Sequence, residues 1–90
     1  MSTLTRDELL VLLIEECSEV IQAATKCLRF GYDRVQEGYG RNDLILAEEV
    51  GDLTGVLDAL PLDEKIISRN RIQKITKAER YKQLYGVIKS

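Results

Sequence analysis

From Leu9 to Leu28 apolar residues return every three or four positions, the period of an α-helix that turns one face inward. Placed at about 100° per residue with Leu9 at zero, Leu9, Leu10, Leu13, Cys17, Val20, Ile21, Ala24, Cys27 and Leu28 fill an arc of about 120°. The flanking residues agree. Thr5 is a good N-cap, Glu8 completes a capping box, Leu4 and Leu9 occupy the two staple positions, and Gly31 follows Phe30 as a stop. The next stretch, GYDRVQEGYGR, has three glycines and no period, so a loop is expected there. Asn42 is the expected cap of a second helix running to about Leu60, with Pro61 ending it. On that helix Ile45, Leu46, Val50, Leu53, Val56, Leu57 and Leu60 span about 140°. Asp63 is the expected cap of a third helix, of poorer periodicity, that continues with or without a break to the Gly86 region. The pattern implies a single all-α domain over residues 1–90.

Both apolar faces are interrupted by acid. On the first helix Glu16 falls at about 340°, inside the apolar stripe, and Glu19 at about 280°, on its edge, while Glu15 points further out. The second helix has Glu49 at about 40° and Asp52 at about 340°, on either side of Ile45. Each helix therefore carries a carboxylate pair at i, i+3 into the face meant for burial.

Taking unpaired carboxylates out of water costs on the order of several kcal/mol each, more than a small domain can spare. A positive partner is required. One candidate is a set of lysines, Lys26, Lys74 or Lys77, holding acids that sit at the edge of the stripe. The other is a divalent cation, which two matching pairs on successive helices favour. Oxygen-only ligands suit Mg²⁺ or Mn²⁺, ions that keep waters and bind substrate phosphates.

Composition narrows the chemistry further. The chain has no histidine, which excludes a His general base, a Ser-His-Asp triad and the Glu-x-x-His ligands of di-iron bundles. Its two cysteines, Cys17 and Cys27, lie about 15 Å apart along one helix, too far for a mutual disulfide. With 44% hydrophobic and 31% charged residues in 90, the chain is globular, and a second copy is expected to help cover its broad apolar arcs as a homodimer or tetramer. A four-helix core completed by oligomerisation follows. The amino terminus lacks a basic segment and no run is long enough to span a bilayer, which points to the cytoplasm.

The net charge of −2 hides an asymmetry. Residues 1–60 hold 5 basic against 12 acidic side chains, a balance of −7, whereas residues 61–90 hold 8 against 3, a balance of +5. On the third helix Asn70, Lys74, Lys77 and Tyr81 share a face with Ile67 and Tyr85, forming either a phosphate-binding ridge or a solvated basic face. Lys26, on the flank of Glu19, has the same two readings. Nucleic acid is a weak candidate partner for a domain that is acidic as a whole. Gly51 and Gly55 each cost about 1 kcal/mol relative to Ala in a helix, so close helix approach is expected there. Tyr32 and Tyr39 offer rings either to a nucleobase or to a core edge.

The pattern E-x-x-E at Glu16 and Glu19, followed on the next helix by E-x-x-D at Glu49 and Asp52, resembles the signature of the MazG-like all-α nucleotide pyrophosphohydrolases. EECSEVIQAATKCLRFG and NDLILAEEVGDLTGVLDAL are similar to that family's two core helices, so the resemblance covers roughly residues 8–60. RIQKITKAERYKQL resembles the basic helix that in the family reaches phosphates. The resemblance implies Mg²⁺ held by Glu16, Glu19, Glu49 and Asp52, and hydrolysis of a nucleoside triphosphate to the monophosphate and pyrophosphate. One of these four, or Glu15 or Glu48, then accepts the proton of the attacking water. Phosphoribosyl-ATP and dUTP are the nearest alternative substrates. A non-catalytic helical module that binds a partner or nucleic acid through the basic tail is the alternative of another class.

Overall fold

A computed structural model describes residues 3–86. Helix α1 (Arg6–Phe30) opens with the expected capping box: the Glu8 amide donates to Thr5 Oγ1 at 3.1 Å and the Thr5 amide donates to Glu8 Oε1 at 2.9 Å. It ends at Gly31, whose φ of 111° lies in the region that glycine tolerates.

The connection to the second helix is more ordered than its sequence suggests. Strands β1 (Val35–Gln36) and β2 (Gly40–Arg41) form a minimal antiparallel hairpin in which Val35 faces Arg41 and Gln36 faces Gly40. Helix α2 (Asn42–Ala59) begins one residue earlier than expected, with Arg41 as its N-cap and no side-chain cap bond. Asn42 is thus not the cap. It is 1% exposed, its Nδ2 donates to the Gly31 carbonyl at 2.9 Å, and its Oδ1 accepts from Gln36 Nε2. Its own amide donates to the Arg34 carbonyl at 2.9 Å, while the Asp43 amide donates to Tyr32 O at 3.0 Å. A buried amide with its bonds satisfied ties the end of α1 to the start of α2.

After Pro61, Asp63 Oδ1 accepts from the Lys65 and Ile66 amides and starts α3 (Glu64–Tyr85), which runs without a break. The three helices account for most of the described residues, so the chain is all-α in class.

Helices α1 and α2 pack against each other, with Leu9, Ala23 and Leu60 as the buried apolar side chains among the described residues. Helix α3 shares no such packed face and has no fully buried side chain, Ile67, Ser68 and Ala78 being half-buried, and the Cα atoms span 41 × 40 × 16 Å. Packing divides the apolar arc of α1 in two. Residues near 0° face α2, whereas Ile14, Ile21 and Leu28, at about 100–140°, remain 71%, 64% and 68% exposed. Together with Leu10, Cys17 and Ala24 they follow an alternating four-three spacing, and Leu46, Val50, Leu53 and Leu57 repeat it on α2. Both rows fall on one side of the helix pair.

Gly51 and Gly55 correct an expectation. A Cβ at either would meet nothing within 4 Å, so they do not allow close helix approach within the chain. No helix among the described residues is long and apolar enough to cross a membrane.

Candidate metal centre

The i, i+3 spacing sets Glu16 beside Glu19 one turn along α1, and Glu49 beside Asp52 along α2. Packing of the two helices brings both pairs to one point. One carboxylate oxygen from each of the four residues lies within 4.8 Å of all the others. Glu16 and Glu49 are half-buried between the helices; Glu19 and Asp52 are exposed at the rim.

Among the described residues no ion pair reaches the cluster. Among the described residues the ion pairs are Arg6–Asp7, at 3.6 Å, and Arg41–Asp43, so the lysine pairing considered above is not found. Glu16 Oε2 and Glu49 Oε2 are buried and accept no hydrogen bond. Both groups titrate above the ordinary value. Burial raises Glu16 first, followed by the charges of Glu19, Asp52 and Glu15. Glu49 is raised first by the Glu19 carboxyl, which lies close enough to share a proton with it, then by burial and by the charges of Glu19, Asp52 and Glu16. Four carboxylates forced together without a cation destabilise one another, the signature of a site that fits one.

Oxygen donors alone, half of them exposed, match the hard cations Mg²⁺ and Mn²⁺, which retain coordination positions for water and phosphate oxygens. The cluster opens onto two depressions on the face opposite the four-three rows. One, of about 570 Å³, has Leu9, Leu12 and Val56 as apolar walls beside Glu16 and Asp52, with Gly51 and Gly55 leaving it unfilled. The other, of about 260 Å³, joins Glu19 and Glu49 to Lys26, Ala23 and Ile45. The first was not singled out from sequence. Its signal was the position of Leu12 on the Glu16 side of the helical wheel, away from the main arc.

The remaining candidates are placed less uniformly. Lys26 borders the cluster. Glu15 stays exposed outside it, its backbone carbonyl accepting from Ser18 Oγ at 2.7 Å, and reaches the centre only through its charge on Glu16. Asn70, Lys74, Lys77 and Tyr81 share a face of α3, where Lys74, Lys77 and Tyr81 line a shallow concavity, Asn70 Nδ2 donates to Ile66 O at 2.8 Å, and Tyr81 lies 4.9 Å from the Tyr85 ring. A single chain does not bring this ridge against the carboxylates, because α3 leaves the helix pair at Pro61. In the connection, Tyr32 and Tyr39 are exposed. Compared with known proteins, the chain matches no family model, no curated protein and no solved structure.

Proposed function

We propose that the chain is a Mg²⁺-dependent nucleoside triphosphate pyrophosphohydrolase of the MazG-like all-α class. One observation carries this reading: two i, i+3 carboxylate pairs from packed helices converge within 4.8 Å, two of their oxygens being buried without a partner. Glu16 and Glu49 would grip the cation from the floor of the site, and Glu19 and Asp52 from its rim. When bound, the cation supplies charge neutralisation along the polyphosphate and lowers the pKa of an attacking water. The protein's part is to hold the nucleotide so that water adds at one end of the α–β anhydride and that bond breaks, giving monophosphate and pyrophosphate. A carboxylate at the rim, or the neighbouring Glu15 or Glu48, takes the proton that water releases. Lys26 lies where a phosphate oxygen would extend from the cluster. The walls of the larger depression are apolar and select no particular base by hydrogen bonding, so phosphoribosyl-ATP and dUTP remain alternative substrates beside the common nucleotides.

A second copy completes a four-helix core in this reading, as a dimer or a tetramer. The exposed row of Leu10, Ile14, Cys17, Ile21 and Leu28 has the spacing by which helices interlock, and it lies on the side away from the acids. Such an enzyme would act in the cytoplasm, on the free nucleotide pool.

The test is pyrophosphate release from each common ribo- and deoxyribonucleoside triphosphate, with Mg²⁺, with Mn²⁺ and with chelator. Metal-dependent release from any of them supports the reading; none from all of them rejects it. The unpacked basic helix favours one alternative, a non-catalytic module that binds a partner or nucleic acid through α3. Steeply salt-dependent oligonucleotide binding without hydrolysis would establish it.

A further inference from the structure

Past the carboxylates, the same face of α1 runs on toward the connection. Leu12, Glu16, Glu19, Lys26 and Phe30 fall within an arc of about 80° on that helix, so the larger depression, the acids, Lys26 and Phe30 follow one another along one line. Phe30 borders a third concavity, of about 430 Å³, whose other walls include Arg34, Val35, Glu37 and Tyr39. Phe30 is 50% and Tyr39 80% exposed, so neither ring serves to cover a core edge. Both are nevertheless held. The Arg29 guanidinium lies 5.1 Å from the Phe30 ring centroid, the Tyr39 amide donates to the Gln36 carbonyl at 2.9 Å, and the Arg34 amide donates to the Gly31 carbonyl at 3.3 Å. Walls fixed before a ligand arrives lose little freedom on binding it. The side chains of this cradle match one chemical group: aromatic rings stack on a nucleobase, a carboxylate accepts from ribose hydroxyls, and a guanidinium takes a phosphate.

Distance decides which nucleoside the cradle takes. From the midpoint of Glu16 and Glu19, Leu12 is about 8 Å along α1 in one direction and Phe30 about 19 Å in the other. A triphosphate cleaved at its α–β anhydride over the carboxylates puts its nucleoside in the nearer depression and its remaining phosphates toward Lys26, and leaves the cradle unused. We propose that the substrate of this centre is a dinucleoside polyphosphate, a nucleoside joined through a chain of phosphates to a second nucleoside, whose base stacks on Phe30 and Tyr39 while Arg34 holds the phosphate nearest to it. Lys26, between the acids and Phe30, meets the middle of the chain. This rests on the hydrolase reading and names the substrate of the same site. Water oxygen bonds to the phosphorus nearest the first nucleoside, the bond from that phosphorus to the bridging oxygen breaks, and the bridging oxygen leaves with the rest of the chain. The proton of the water passes to a carboxylate at the rim. A tetraphosphate bridge thus gives a nucleoside monophosphate and a nucleoside triphosphate.

Two measurements on the full chain test this. The first compares kcat/KM with Mg²⁺ for the tetraphosphate-bridged and pyrophosphate-bridged dinucleosides of each common base and for the matching triphosphates. For at least one base the tetraphosphate-bridged compound should exceed its triphosphate by about tenfold or more, with monophosphate and triphosphate as first products, whereas the pyrophosphate bridge is too short to reach the cradle and should give no such advantage. Hydrolysis of triphosphates with no advantage for any tetraphosphate-bridged compound overturns the proposal and leaves the hydrolase reading standing; hydrolysis of none of these compounds removes both. The second measurement reads binding without turnover, by calorimetry with Mg²⁺ and analogues carrying a methylene group in place of the α–β bridging oxygen. The tetraphosphate-bridged analogue should bind about tenfold or more tightly than the triphosphate analogue, and Phe30→Ala and Tyr39→Ala, tested singly, should each reduce that ratio severalfold. Tyr39→Ala, at a position 80% exposed, keeps the comparison available should Phe30→Ala disturb the end of α1. A ratio unchanged in Tyr39→Ala would place the second nucleoside elsewhere and overturn the proposal.

Discussion

Helices α1 and α2 carry a surplus of acid and pack against each other, whereas α3 carries a surplus of base and packs against neither. Both regions leave large apolar side chains in water, but for different reasons. On α1 the exposed residues form a continuous row beside a face already packed, so the helix has one covered and one uncovered side. On α3 only Ile67, Ser68 and Ala78 are partly covered, and one face is apolar at its ends, at Ile66, Tyr81 and Leu84, with Lys74 and Lys77 between them. The first arrangement suits a close contact between helices; the second suits a contact that also binds anions. Charge segregation along the chain thus keeps the acid-rich helix pair apart from the base-rich third helix.

The largest expected effect tests the acidic region alone. Glu49→Gln keeps the shape but removes a ligand charge, and hydrolysis should fall by roughly 100-fold or more. Saturating Mg²⁺ should raise the melting temperature of the wild type, by an amount equivalent to about 2.7 kcal/mol at a hundred times the Kd, and that rise should vanish in the variant. Retained hydrolysis with a less stable apo fold would instead make Glu49 a structural residue.

The next prediction concerns the covered and uncovered sides of α1. In a monomer Ile21→Asp at a 64% exposed position should change stability by no more than about 0.5 kcal/mol. If the row is an interface between copies, the substitution buries a charge there and should weaken association at least about 100-fold. Sedimentation velocity at micromolar concentration decides between the two.

Asn42→Ala removes two side-chain hydrogen bonds from a fully buried position and leaves their partners unsatisfied. A loss of about 2 kcal/mol is expected in denaturant unfolding of the apo protein.

The smallest effect is on pH dependence. Glu16 and Glu49 are held above the ordinary value of 4.5, so the folded apo chain takes up these two protons before the unfolded chain does. Their contribution to stability is complete below 4.5 and is lost as pH rises through their raised values. Glu8 and Asp43 are lowered and act in the opposite sense, losing their contribution as pH falls. The difference between wild type and Glu49→Gln isolates the cluster, since Glu8 and Asp43 are common to both. Relative to wild type, the apo variant should gain stability as pH rises from 4.5 to 7, and Mg²⁺ should reverse that order. A pH-independent difference would remove the mutual repulsion argued for the cluster.

Much of this was legible before the structure. The Thr5 capping box, the Gly31 stop, the Asp63 cap and the two carboxylate pairs, Glu16 with Glu19 and Glu49 with Asp52, follow from local spacing, because a cap or an i, i+3 pair is complete within one or two turns, whereas the meeting of the two pairs is made by helix packing. What spacing does not contain is the partner of a face. The arc from Leu9 to Leu28 gave no sign of where packing on α2 would end and exposure begin. Gly51 and Gly55 invited a reading of close approach, although they border open space. Asn42 has the chemistry of a cap, and only the tertiary position of Gly31 and Gln36 turned its side chain to another use. The basic face of α3 was visible, but not its separation from the acids, since a helical wheel holds no information about the direction a helix takes after a proline.

The tie made by Asn42 also sets what the connection between the helices can absorb. Its stem is fixed at four points, by the Asn42 side chain on Gly31 and Gln36 and by the Asn42 and Asp43 amides on Arg34 and Tyr32. The tip, from Glu37 to Gly40, is exposed. Sliding α2 by one residue against α1 would carry Glu49 and Asp52 about 1.5 Å along and about 100° around, enough to scatter four oxygens now gathered at one point. Insertions at the tip leave the stem, and so that alignment, untouched; insertions between Gly31 and Arg34 do not. Length variation in this protein is therefore tolerable on one side of the stem and disruptive on the other, though both sides lie within the same short connection.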